Sequence, residues 1–205
     1  MRNPRWTDAR SSEMLPVPKS PSLREDCMKR FLTTALLCAT IPASATAQTA
    51  VAGNGADASV TALRSNWLQA VGNITKAAEE LSEADYAYRP VATVRTFGEI
   101  VSHVAGSQYL MCAAALGEKQ PAEDAVEKTA KTKVAILKAL HESVEYCTKA
   151  YAITAASAGI PTQLFGETST RVGALTLNAV HDGEHYGNII TYMRMKGMVP
   201  PSSRR

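Results

Sequence analysis

Apolar and polar residues follow each other along the chain with the three- and four-residue spacing of amphipathic α-helices. Four segments show this spacing, at residues 58–82, 97–116, 131–152 and 170–196. The stripe of the first consists of Val60, Leu63, Trp67, Ala70, Ile74, Ala77 and Leu81. The residues of the third that we expect inside are Val134, Leu137, Val144 and Tyr151. Because no segment alternates with the two-residue period of a strand, the pattern predicts an all-α four-helix bundle.

Local signals indicate where two of these helices begin and end. Thr96 and Glu99 have the spacing of a capping box, in which each side chain bonds a free backbone N–H group. Ser169 or Thr170 can cap the start of the last helix. Gly197, followed by prolines, ends that helix.

The N-terminal part has the layout of a secretory signal peptide. Met28-Lys29-Arg30 is positively charged, residues 31–41 are an apolar run, and small residues lead to Ala47. The alternative is a buried core helix, and 11 apolar residues are too few to span a bilayer, which takes about 20. We therefore predict a signal peptide at residues 28–47, cleavage near Ala47, and a secreted or periplasmic product.

The segments on either side of this signal complete the predicted domain organisation. Residues 1–27 are rich in Pro, Ser and Arg and lack apolar periodicity, so we interpret them as a mis-assigned upstream extension, disordered if translated. Residues 48–56 form a flexible leader, and residues 57–203 form the folded domain. We expect no stable membrane anchor, because Leu37 before Cys38 is bulkier than a lipoprotein cleavage site allows.

Charge narrows the classes of partner. The first 47 residues hold seven of the 22 Lys and Arg and four of the 19 Asp and Glu, which leaves 15 of each sign in the remainder. A neutral body argues against a nucleic-acid-binding protein, which needs a net basic face. We expect a small-molecule substrate instead, and the oligomeric state is open, a homodimer included.

The last predicted helix carries the most informative residues. Its inner face is polar at the centre and consists of Ala174, Asn178, His181, His185, Asn188, Tyr192 and Met195. Because His181 and His185 are four residues apart, their rings project side by side and can share one divalent metal. The alternative is two core histidines with hydrogen-bond partners, or a solvated helix face.

His103, on the second predicted helix, can complete this site. It lies about 10 Å along the axis from the start of its helix, and the other two lie about 16–22 Å from the end of theirs. If the two helices run antiparallel, the three rings fall within a turn or two of one level. Three histidines with an open fourth position are typical of a catalytic metal site. A lone core histidine is the alternative for His103, and we interpret His141 as a surface residue.

Three further residues near the histidines are candidates for function. Glu184 completes the run His181-x-x-Glu184-His185, in which it would be the general base; a surface glutamate in a salt bridge is the simpler interpretation. Asn188 and Tyr192 can bind substrate or orient a ligand histidine, and Tyr192 can equally be core filler. We assign Trp67 to core packing.

The order of these motifs resembles the DinB-like superfamily of four-helix-bundle proteins. The similarity covers about residues 57–203 and is carried by Tyr88-Arg89-Pro90, Thr96 to Ala105, and His181 to Asn188. The resemblance implies a metal held by one histidine of the second helix and two of the fourth, which here are His103, His181 and His185. It also implies an up-down-down-up bundle.

The resemblance leaves the chemistry open. Some members of the superfamily use the metal to activate a cytosolic low-molecular-weight thiol, a partner that a secreted chain would usually lack. Our leading hypothesis is a secreted protein that binds one divalent transition metal (Zn, Ni, Cu or Fe) and acts as a hydrolase or transferase on a small molecule. The alternatives are a non-catalytic metal- or ligand-binding bundle and a metal-free interaction module.

Two cysteines, Cys112 and Cys147, follow the predicted cleavage site. In the up-down-down-up arrangement the second and third helices run parallel, and each cysteine lies four or five residues from the end of its helix. We therefore predict a disulfide, for which an oxidising compartment is the usual setting. The alternative is two small buried thiols.

Overall fold

Four long helices make up most of the described chain. The computed structural model describes the backbone of residues 54–204 and the side chains of residues 58–204. The long helices are α1 (Asn54–Glu80), α2 (Phe97–Leu116), α4 (Lys133–Ala150) and α6 (Arg171–Met195). Shorter elements are α3 (Ala125–Thr129), α5 (Ala155–Ala158), the strands β1 (Pro161–Leu164) and β2 (Glu167–Thr170), and 3-10 turns at Ala84–Ala87 and Pro201–Ser203.

Helices α2 and α4 lie side by side and run parallel. Near their N-terminal ends, a Cβ placed on Gly98 would lie 3.3 Å from the Cδ1 atom of Ile136. Near their C-terminal ends, Cys112 and Cys147 are joined in a disulfide, with their Cα atoms 5.3 Å apart. The long link between the two helices returns the chain to the starting end, which is what a parallel pair requires.

Helix α6 runs antiparallel to α2. The Tyr192 hydroxyl, near the end of α6, donates a 2.6 Å hydrogen bond to the carbonyl of Arg95, just before α2 begins. At the opposite end, a Cβ on Gly117, after the end of α2, would lie 3.5 Å from the guanidinium of Arg171 at the start of α6.

Helix α1 runs antiparallel to α4, which completes the up-down-down-up bundle. Trp67, in the middle of α1, stacks on Tyr151 at the end of α4 with ring centroids 4.2 Å apart. Near the end of α1, the Glu79 carbonyl accepts a 2.8 Å hydrogen bond from Lys133 at the start of α4. The predicted all-α four-helix class and its up-down-down-up topology are confirmed.

The predicted helix starts are also present. The Thr96 hydroxyl accepts from the Glu99 N–H, and the Glu99 carboxylate accepts from the Thr96 N–H at 2.7 Å, so the capping box is complete. Thr170 caps α6 by accepting from the N–H of Gly173. Each cap satisfies backbone donors that a helix start leaves free.

A short β-hairpin corrects the expectation that the chain contains no strand. β1 and β2 pair antiparallel from Pro161 opposite Thr170 to Leu164 opposite Glu167. The two residues of the turn, Phe165 and Gly166, have φ values of 53° and 84°, as a tight hairpin turn requires. Strands of four residues are too short to show a two-residue period, so the pattern could not reveal them.

The inner face of α4 differs from the predicted one. Val134, expected inside, is 76% exposed, whereas the buried residues are Ile136, Leu140, Ser143, Cys147 and Ala150. Val134 lies two residues before Ile136, which places it about 200° around the helix, on the opposite face. Tyr151 is buried as expected.

The core consists of two apolar clusters with a polar layer between them. One cluster surrounds Phe97, Ile74, Leu140 and Ile189, and the other surrounds Trp67, Met111 and Leu175. Between them lie buried polar side chains from three helices: His103, Ser107, Gln108, Ser143, Asn178 and Asp182. The candidate site lies in this layer.

The predicted signal peptide and upstream extension lie outside the described residues, as do residues 48–53 of the predicted flexible leader. The last three residues of that leader, 54–56, are instead the first residues of helix α1, so the prediction is wrong there. Within residues 54–204, no helix is both long and apolar enough to cross a bilayer.

Candidate metal centre

Three histidines from two helices converge at the polar layer. His103 comes from α2, and His181 and His185 come from successive turns of α6. The Nε2 atom of His181 lies 3.2 Å from Nε2 of His103 and 3.1 Å from Nε2 of His185. The three ligand atoms all lie within 4.8 Å of one another, so these histidines are close enough to hold one metal ion.

The surroundings keep two of these imidazoles neutral. Burial, together with the neighbouring His181 and His103, lowers the pKa of His185 to about 3. Burial also lowers the pKa of His103, to which Arg95 and His181 contribute. Neutral imidazoles have a free nitrogen lone pair, which is the form that binds a metal.

Glu127 contacts the far side of the His103 ring. Its Oε2 atom lies 3.3 Å from Nδ1 of His103, and Arg95 donates a 2.8 Å hydrogen bond to its Oε1 atom. A guanidinium nitrogen of Arg95 lies 3.4 Å from the same Nδ1, so this ring nitrogen faces both an acceptor and a donor. Glu127 and Arg95 were not predicted from the sequence, because both lie in connections without a periodic pattern.

A second carboxylate lies on the side of His103 that faces the other histidines. The Oε1 atom of Glu123 is 3.9 Å from Nε2 of His103 and accepts a 2.8 Å hydrogen bond from the Ser107 hydroxyl. The link that carries Glu123 packs directly on α2, where a Cβ on Gly106 would lie 2.0 Å from the Glu123 carbonyl oxygen. Only glycine permits this approach. Glu123 was not predicted from the sequence either, and the spacing of four residues between Glu123 and Glu127 was the one signal for it.

A cavity of about 310 Å³ borders His185. Its wall contains polar and apolar side chains: Thr93, Val94, Arg95, Ile100, His185, Asn188 and Tyr192. Its size suits a small molecule.

The structure places the two predicted substrate residues at this cavity. Asn188 is exposed, and its side-chain amide lies 3.5 Å from Nδ1 of His185. Tyr192 is buried, and its ring packs against the ring of Tyr88 in an edge-type contact. Its hydroxyl donates to the Arg95 carbonyl, so Tyr192 lines the cavity and also supports the loop that carries Arg95.

The remaining candidates lie elsewhere. Glu184 is exposed and, within residues 58–204, is not among the groups whose ligand atoms converge. His141 is exposed as expected and lies 3.2 Å from a Glu79 carboxylate oxygen. Trp67 is fully buried in the core, as expected.

The donor set fits a divalent transition metal. Three imidazole nitrogens are common ligands of Zn, Cu, Fe and Ni, and they do not distinguish among these ions. The arrangement uses three protein ligands, as catalytic sites with an open position do.

The fold and the site together define a class of protein: four-helix bundles in which two antiparallel helices contribute three histidines to one site. A family model for the DinB superfamily matches residues 66–189, and the chain belongs to that superfamily.

Two crystal structures share the fold. A DinB-like protein from Bacillus subtilis is 20% identical, with a TM-score of 0.52 over 70% of this chain and 99% of its own. A DinB-like protein from Bacillus cereus is 16% identical, with a TM-score of 0.58 over 69% of this chain and 95% of its own. No curated protein matches the chain.

Proposed function

We propose that this protein is a metal-dependent enzyme, a hydrolase or transferase that acts on a small molecule. His103, His181 and His185 would hold one divalent transition metal. The observation that carries the proposal is the convergence of three Nε2 atoms beside a cavity of about 310 Å³. A divalent ion bound there supplies Lewis-acid activation of a bound water or of an anionic substrate group.

Residues of the cavity wall would bind and orient the substrate. Arg95 and Asn188 line the cavity together with His185, and the Asn188 amide lies 3.5 Å from Nδ1 of that histidine. Tyr192 holds the Arg95 backbone in place through its 2.6 Å hydrogen bond. Arg95 and Asn188 together favour a small substrate with a polar or anionic end, because such an end can form hydrogen bonds with these side chains.

Glu123 is the carboxylate that we assign to proton transfer. Its Oε1 atom is 3.9 Å from the site-facing nitrogen of His103, and the Ser107 hydrogen bond fixes its orientation. It would accept a proton at Oε1 from a nucleophile beside the histidines. Glu184, the candidate from the sequence, is exposed.

We propose that the protein works in an oxidising compartment, secreted or periplasmic, after cleavage near Ala47. The Cys112–Cys147 disulfide supports this compartment, because disulfides persist mainly outside the reducing cytosol. In that setting a hydrolase is favoured over a thiol S-transferase.

The test combines elemental analysis with a screen of small ester, amide and phosphoester substrates. The proposal predicts one transition metal per chain, and turnover that a chelator abolishes and added metal restores. Metal without turnover by any substrate class would support the non-catalytic binding protein instead.

Two variants then separate the candidate bases. Glu123→Gln should keep the metal and lose at least about 100-fold in rate, the usual contribution of a general base. Full activity in Glu123→Gln together with loss in Glu184→Gln would overturn the assignment to Glu123.

A further inference from the structure

A fully buried carboxylate lies directly behind the candidate metal centre. Asp182 is 0% exposed, and neither of its carboxylate oxygens has a hydrogen-bond partner within 3.5 Å among the described residues. Burying a carboxylate without a partner is costly, so such groups in native proteins almost always have donors nearby.

A buried ring nitrogen without a partner lies close to this carboxylate. The His181 Nδ1 atom is 3.8 Å from Asp182 Oδ1 and, like both oxygens of Asp182, is buried without a hydrogen-bond partner in the described chain. An approach of about 1 Å would bring this contact to normal hydrogen-bond length.

The geometry separates the two nitrogens of His181. Its Nε2 atom faces the other two histidines at 3.2 and 3.1 Å, and its Nδ1 atom faces Asp182. An acceptor on Nδ1 selects the tautomer that carries its proton there, so that the Nε2 lone pair points toward the shared position.

We propose that Asp182 is a positioning residue that accepts the Nδ1–H of His181 and thereby holds His181 in the metal-binding tautomer. The inference rests on the proposed metal site and adds a buried carboxylate behind one of its ligands.

The first test measures the tautomer of His181 in metal-free protein. Long-range ¹H–¹⁵N spectra distinguish a protonated Nδ1 from a protonated Nε2, and His181→Gln assigns the signal. We expect Nδ1 to be protonated in the wild type and a mixture of both tautomers in Asp182→Leu. A mixture in the wild type, or an unchanged tautomer in Asp182→Leu, would overturn the proposal.

The second test measures Co²⁺ affinity by competition with a chelator. Asp182→Leu should bind about 10- to 100-fold more weakly, the usual effect of losing a carboxylate behind a ligand histidine. Asp182→Asn keeps an acceptor oxygen and should be intermediate. Ser143→Ala is the matched control, because it removes a buried hydroxyl of the same layer that donates to the Leu140 carbonyl. Equal Co²⁺ affinity in Asp182→Leu and the control contradicts the proposal.

The design separates this inference from the proposed function. If Asp182→Leu does not fold, Asp182→Ala gives the same tautomer readout, because it also removes the acceptor, and a wild-type signal in it overturns the role of Asp182. If the wild type binds no Co²⁺, the proposed function fails, whereas the metal-free tautomer measurement still decides the hydrogen bond.

Discussion

The Cys112–Cys147 disulfide should be a major source of stability. It joins helices α2 and α4 across 35 positions of sequence and is fully buried between them. Closing a loop of that length removes chain entropy from the unfolded state worth about 4 kcal/mol at 25 °C. Reduction of the wild-type protein tests this value without creating a cavity, since both sulfurs stay in place.

Urea unfolding with and without a phosphine reductant measures the effect. At a slope of about 2 kcal/mol per M, typical of a small domain, loss of about 4 kcal/mol lowers the midpoint by about 2 M. Mass spectrometry verifies reduction, and a Cys112→Ala/Cys147→Ala double variant should not respond to reductant. Equal midpoints in fully reduced and oxidised protein would refute the reasoning, and two free thiols without reductant would contradict the bond itself.

Three other predictions follow from single contacts. Gly106→Ala should destabilise the protein by about 1–3 kcal/mol, because its Cβ would lie 2.0 Å from the Glu123 carbonyl oxygen. Gly72→Ala is the control: the space around it is open, so this change should stabilise α1 by about 0.5–1 kcal/mol. Urea midpoints compare the two variants, and equal effects on stability would contradict the close approach at Gly106. In chelated protein, His185 has a folded pKa of about 3 and an unfolded value near 6.5, so its stabilising contribution is complete above pH 6.5 and falls by about 2 kcal/mol on going from pH 7.5 to 5. His185→Gln should lack this pH-dependent part, and parallel pH profiles of urea stability in the two proteins would show the shift to be absent. Zn²⁺ at 100 times its dissociation constant should raise the unfolding free energy of the wild type by about 2.7 kcal/mol and leave that of His103→Ala unchanged. Thermal unfolding with and without Zn²⁺ measures this difference. Equal shifts of the unfolding temperature in the two proteins would place the ion elsewhere.

The fold followed from the sequence because helix periodicity survives in long segments. The capping box at Thr96 has local causes, and so does the first apolar stripe, which is buried at Trp67, Ile74, Ala77 and Leu81; both are present. The prediction that Val134 lies inside was wrong, because a single apolar residue in the first turn of α4 does not define the buried face of that helix. The hairpin was not predicted, because its strands are short and its position depends on contacts with α2, such as the 2.6 Å hydrogen bond from the Thr162 hydroxyl to the Ala114 carbonyl.

The three histidines of the candidate site could be predicted from the sequence. Spacing of four on one helix and a third ring on another define which groups can meet, and the structure brings them together. Their supporting residues could not be predicted. Glu123 and Glu127 reach the site through a link whose path the tertiary structure determines. Asp182 is buried because of how α6 is rotated in the bundle, and its neighbours in sequence do not reveal that rotation.

The most direct test of the central claim is X-ray absorption spectroscopy of the purified protein loaded with one equivalent of Zn²⁺. The account predicts three imidazole nitrogens at about 2.0–2.1 Å and a further light-atom ligand, with loss of the imidazole signal in His185→Ala. A sulfur ligand, or fewer than two imidazoles in the wild type, would contradict it.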